Sequence, residues 1–199
     1  SSRQMDLWLT AAEPFLNRII QSAEQRDHYY NPYIISAADR DQPTPELIRI
    51  QLPGALHARE IVRGLALLAN RRIAEGRIDE AIRVSRVIHR IGRLSSVGGT
   101  LIEGLVGIAI DGIGFELDNR LITTPSISKT LLSKLQSQLE KLPPISSLAA
   151  KIDLTERYVY LDTTISIARH GPLALSMVAD GYASEDSPVL TALAKTVSG

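Results

Sequence analysis

Four histidines, a set of glutamates and a stripe of arginines carry whatever chemistry this 199-residue chain can do. His57 and Glu60 are three residues apart, and Glu24 and His28 are four apart, spacings that put each pair on one face of a helix. A di-iron helical site needs two Glu-x-x-His motifs and two further glutamates; no Glu-x-x-His occurs, so no metal centre is expected. What remains is acid–base or anion-binding chemistry, with His57 or His89 as the proton-transfer group and Arg63 holding an anion. Cysteine is absent, which excludes disulfides, thiolate catalysis and Cys-ligated zinc. No Gly-rich phosphate loop, G-x-S-x-G elbow or H-E-x-x-H motif is present, and no cofactor is implied.

The elements that must position these groups read as helices. Between Met5 and Gln25, Trp8, Ala12, Phe15, Ile19 and Ala23 form one apolar stripe, predicting a helix that faces the core with these residues. A central unit from Leu56 to Leu121 follows. Its first helix runs to about Glu75, with Ile61, Leu65, Leu68 and Arg72 on one face, and stops at Gly76. The second begins after Ile78, with Asp79 and Glu80 in its first turn and Arg90 and Arg93 in its last, matching the helix macrodipole. The third, Thr100 to Leu121, is apolar on nearly every face and is expected at the buried centre. Gly104, Gly107, Gly112 and Gly114 on it would let neighbours approach closely.

Pro125 is expected to open a fourth long helix with Ile127, Leu131, Leu135, Leu139 and Leu142 on one face, ended by Pro143 and Pro144. A fifth carries Leu154, Tyr158, Leu161, Ile165 and Ala168 and stops at Gly171, where His170 suits the C-terminal dipole. Short helices near Leu173 to Ala179 and Val189 to Val197 complete the chain. Ile48, Ile50 and Leu52 alternate with polar residues, but no partner strand is evident, so an extended stretch or one helical turn is expected there. The fold class is therefore all-α: an antiparallel helical bundle of about six to seven helices, in one domain over 1–199.

Short connections make successive helices antiparallel neighbours. Folding the central unit about Arg77 and Val97 sets Arg63 and Glu103 level with Ile91, and Asp111 level with Arg83. One end then gathers His57, Glu60, Arg63, His89, Arg90, Arg93 and Glu103. This cluster has two readings: a small polar pocket, or acidic groups paired with the middle helix's arginines, which a carboxylate on an apolar helix requires.

Arg83, Arg86, Arg90 and Arg93 share one helical face, which would suit phosphate contacts if exposed. The chain is neutral, however, with 22 basic and 22 acidic residues, and no aromatics interleave with the stripe. Nucleic acid is thus a weak candidate partner. Tyr29, Tyr30 and Tyr33 lie in a long non-periodic segment, Asp27 to Thr44, and could stack on a partner or close over the core.

The residues Leu68, Ala69 and Gly76, Arg77, Ile78, Asp79, Glu80, Ala81, Ile82 resemble the helix-turn-helix of a tetratricopeptide repeat, over about half a repeat. The aromatic positions of that motif hold Leu65, Arg72 and Ser85 here, its closing proline is Arg93, and no second copy follows. The stretch LPGALHAREIVRGLALLANRRIAEGRIDEAI, with GTLIEGLVGIAIDGI, resembles a group of uncharacterised all-helical proteins of planctomycete bacteria. That resemblance implies an export or membrane-tethering segment outside this stretch, in agreement with a chain that starts Ser1, Ser2, Arg3.

From these features we expect a piece of a longer protein acting as a non-catalytic helical interaction or scaffold domain, with a protein as its partner. The alternatives are a small-molecule binding protein or enzyme with a polar pocket between the central helices, and nucleic-acid binding through the arginine face. Oligomeric state is not legible.

Overall fold

Gly76 carries a φ of 74°, in the left-handed region that glycine adopts without strain, and it separates two long helices that pack on one another. The computed structural model describes residues 2–35, 45–125, 127–171, 174 and 176, with the backbone alone for Ser2 and Leu56. It is all-α: the described residues contain no strand. Two compact units are formed, one from Ser1–Pro32 and Leu52–Lys151, the other from Tyr33–Gln51 and Ile152–Gly199.

The first unit contains α1 (Ser2–Gln25), α2 (Pro53–Ala74), α3 (Ile78–Ser96), α4 (Leu101–Ile122), α5 (Lys129–Glu140) and α6 (Leu148–Lys151). Pro53 at the first position of α2 costs no hydrogen bond, since that N–H would have no helical partner. Asp79 and Glu80 begin α3 and Arg93 ends it, complementing its dipole. Thr100 caps α4 through a capping box: its hydroxyl accepts from the Glu103 N–H while the Glu103 carboxylate accepts from the Thr100 N–H. Helices α2, α3 and α4 all pack against one another. Their core is built from Val62, Leu65 and Leu68 of α2, Ile82, Val87 and Ile88 of α3, and Ile110, Leu117 and Leu121 of α4. Helix α1 rests on α2 and α3, and α5 on α3.

Three expectations change. Helix α1 buries Leu9, Leu16, Ile20 and Ala23, while Trp8 and Phe15 are about half exposed, so its inward face is rotated by one residue from the aromatic stripe. Helix α1 lies close against Gly64 of α2, where both the Leu16 and the Trp8 side chains border the space a Cβ would take. Helix α5 starts at Lys129 instead of Pro125, because the Ser128 hydroxyl accepts from the Leu131 N–H and caps it there. Helix α4 is not buried all round. Glu103, Gly104, Gly107, Ile110, Asp111, Gly114, Leu117, Asp118 and Leu121 face inward, leaving Ile102, Leu105, Ile108 and Phe115 exposed. The glycine ridge permits the closer approach to α3, and the wider apolar side is turned out.

In the second unit Ile34 and Gln51 form an isolated antiparallel bridge, and Leu47–Arg49 is one turn of 3-10 helix, so both readings of that stretch meet. The Leu47 N–H donates to Asp162 on α7 (Arg157–His170), which follows a π-helical turn at Ile152–Glu156. The stripe Leu154, Tyr158, Leu161 and Ile165 is largely exposed, and α7 ends at Gly171 with φ 65°. The helices expected near Leu173 to Ala179 and Val189 to Val197 lie outside the described residues, except that Ala174 and Ser176 are helical. Among the described residues no helix is long and apolar enough to cross a membrane.

Candidate functional site

The residues expected in one cluster fall at separate places. The first is fully internal. On α3, Ser85, His89 and Arg93 recur every four residues; on α4, Asp111 and Asp118 are two turns apart; the two rows face each other. His89 has no solvent exposure, and its ring contacts both acids, Nδ1 with Asp111 at 2.7 Å and Nε2 with Asp118 at 2.9 Å. Arg93 donates through Nε and Nη2 to both oxygens of Asp111, at 3.2 and 3.0 Å, and through Nη1 to the Pro143 carbonyl. The Ser85 hydroxyl donates to Asp118. Burial pushes the His89 pKa down, but the hydrogen bonds and charges of Asp118 and Asp111 outweigh it and hold the imidazole above its ordinary value. With the ring protonated, two carboxylates face two cations and the buried chain of charge is neutral. Phe115 closes over it, edge to face with His89 at 4.9 Å. None of three described cavities is lined by a residue of this chain of charge.

Asp111 thus faces His89 and Arg93, not Arg83 as folding about Val97 predicts. The four-residue connection Val97 to Thr100 and the first turn of α4 pass beyond the end of α3, sliding the facing rows along.

The second place is the seam between α1 and α3. Arg83 and Arg86 both bind Glu24, whose carboxyl is held below its ordinary value chiefly by the Arg83 hydrogen bonds, against the opposing effect of burial. Arg90 donates to the carbonyls of Ala23 and Arg26 and to Asp27, each at 2.7 Å. Helix α1 has no basic residue in its own last turn, so Arg90 supplies from outside the cation its C-terminus favours. The arginine stripe is thereby spent on internal contacts, and Glu24 is not available as a ligand beside His28. Beneath it, Arg72 is buried between Glu13 of α1 and Glu80 of α3. Glu60 and Arg63 pair with each other at 3.0 Å on the surface, both more than half exposed. Glu103 is buried in the capping box under Gly98, whose carbonyl accepts from the buried Lys151. Burial lowers the Lys151 pKa, with Glu103 acting in the opposite sense.

The third place is a cleft of about 480 Å³ between the end of α1, the start of α2 and the end of α3. Ile19, Ala23, Ala58, Ile61, Ile91 and Leu94 wall it, and Arg26, His28, Tyr29 and His57 stand at its polar rim. Tyr29 has its pKa raised by burial and by Glu103. Tyr29, Tyr30 and Tyr33 are 39, 86 and 49 % exposed, the first two in the first unit and Tyr33 in the second.

Asp118, Ser85 and Lys151 were absent from the sequence-based set. Asp111 and Asp118 carried a usable signal, two acids seven residues apart on an apolar helix, in phase with Gly104, Gly107 and Gly114. Lys151 carried none, because its partner comes from a loop 53 residues away. Among the described residues no group of three or more His, Asp or Glu is arranged to hold a metal ion. No family model, no curated protein and no solved structure matches the chain.

Proposed function

We propose that this chain is a non-catalytic helical interaction module whose outward face of α4 receives an amphipathic helix of a protein partner. One observation carries the reading. Ile102, Leu105, Ile108 and Phe115 are 57, 50, 39 and 55 % exposed and lie within a broad outward stripe of a 22-residue helix, with Ile102 and Phe115 at its two edges. Exposed large apolar residues are ordinary when scattered; aligned on one face they mark a binding surface. Ala109 and Gly112 run down the same stripe, and a Cβ added at Gly112 would meet nothing within 4 Å. That leaves a shallow groove between larger side chains, into which the ridge of another helix fits. The face between Leu101 and Phe115 carries no charge, so an apolar stripe on the partner is its complement.

A structural role for the polar cluster supports this reading, since His89, Asp111, Asp118 and Arg93 satisfy one another. The test is a photo-crosslinker placed at Gly112 in the native host. The expected product joins one protein species through an amphipathic segment, and Leu105→Glu with Ile108→Glu reduces it about tenfold or more, corresponding to about 1.4 kcal/mol or more, with helical content unchanged. Crosslinking that is the same in this double variant would overturn the proposal.

A further inference from the structure

We infer that the cleft between α1, α2 and α3 is a binding site for a small amphipathic carboxylate, with its hydrocarbon body between Ile61, Ile91 and Leu94 and its anionic head at Arg26 and His57. The size fits: about 480 Å³ lies within the roughly 300–1,000 Å³ of small-molecule sites. The walls are aliphatic and supplied by three helices, so an apolar body seated there leaves water along those walls.

The rim selects the sign of the charge. Arg26, His28 and His57 stand there, and no carboxylate is among the described residues lining the cleft. Asp27, next to Arg26, pairs with Arg90, and Glu103, whose charge reaches Tyr29, accepts from the Thr100 N–H in the capping box of α4. Helix α2 begins at the same rim with Pro53 and Gly54, and its N-terminal end adds a partial positive charge. Tyr29 and Asn31 lie directly over Gly54, where a Cβ would come within 2.2 Å of the Tyr29 hydroxyl and the Asn31 Oδ1. Both amide atoms of Asn31 are out of contact with solvent and without a hydrogen-bond partner, a costly arrangement.

The experiment titrates the intact chain with octanoate, 1-octanol and octylammonium by calorimetry. Octanoate is expected to bind at one site about tenfold or more tighter than either analogue, as one charge-assisted contact provides. Arg26→Ala with His57→Ala, both at exposed positions, should weaken octanoate about fivefold or more and leave octanol unchanged; these values span about one contact's worth. Ala58→Leu, which fills the cleft, should weaken all three. Equal affinity for the three probes, no saturable octanoate heat at millimolar concentration, or an unmoved octanoate affinity in the double variant would overturn the inference. Co-sedimentation with phosphatidylglycerol vesicles without binding of free octanoate would also overturn it. The α4 variants test a different face, so either proposal can fail alone.

Discussion

Gly92 and Gly107 meet face to face where α3 crosses α4: a Cβ on Gly107 would lie 2.6 Å from the Gly92 carbonyl oxygen, and one on Gly92 would lie 2.9 Å from the Gly107 oxygen. The obstruction is backbone, which cannot swing aside as a side chain does. Gly107→Val is therefore expected to cost about 3 kcal/mol or more, at the upper end of overpacking effects, measured by urea unfolding. Gly112 is the control on the same helix. Its Cβ would meet open space, so Gly112→Ala should stabilise the isolated protein by about 0.5–1 kcal/mol through helix propensity.

His89→Ala removes the cation between two buried carboxylates. A loss of about 3–5 kcal/mol is expected, the usual effect of breaking a buried charge pair from one side. Glu60→Gln, which breaks the exposed pair with Arg63, should change stability by no more than about 0.5 kcal/mol. Equal effects of the two substitutions would contradict the burial of the His89 chain.

Stability should also depend on pH in a defined direction. The folded state holds the His89 proton more tightly than an unfolded chain does, so this contribution is complete below the ordinary histidine value of 6.5 and lost as pH rises through the raised folded value. Glu24 acts on the other side: its contribution is present above the ordinary 4.5 and lost as pH falls through the lowered folded value. The denaturation midpoint should be highest between these limits. In His89→Ala the alkaline decline should be absent.

Arg90→Ala tests the seam between α1 and α3. Three hydrogen bonds at the end of α1 are lost, and a destabilisation of about 1.5–3 kcal/mol is expected for the charged contacts. Amide exchange should rise first in the last turn of α1 and not in α4. A uniform rise across the unit would show that Arg90 has no local role.

Helix positions were legible wherever local chemistry decides them. Gly76 marks the turn, Asp79 and Glu80 the start of α3, and Thr100 the start of α4, because caps and dipoles act within a few residues. Facing was less legible. Trp8 and Phe15 offer the larger apolar surfaces, yet Leu9 and Leu16 are the buried ones, one position along from the aromatic stripe. On α4 both faces are apolar enough to be interior, and only the glycine spacing distinguishes them. The pairing of His89 with Asp118 depends on where α4 slides along α3, which the length of the turn alone does not determine. The cleft was invisible for another reason: its walls come from three segments distant in sequence, and a void leaves no mark on any one of them.

The neutral chain Asp118, His89, Asp111, Arg93 also bears on how α3 and α4 find each other. Small residues along a helix seam make a smooth track, and smooth tracks tolerate sliding. A slip of one turn, about 5.4 Å, would keep most apolar contact between these helices but strand two carboxylates away from their cations. Such misdocked forms are penalised by charge even where greasy contact forgives them, so the ion chain works as a key with one notch, admitting a single setting of the pair during folding.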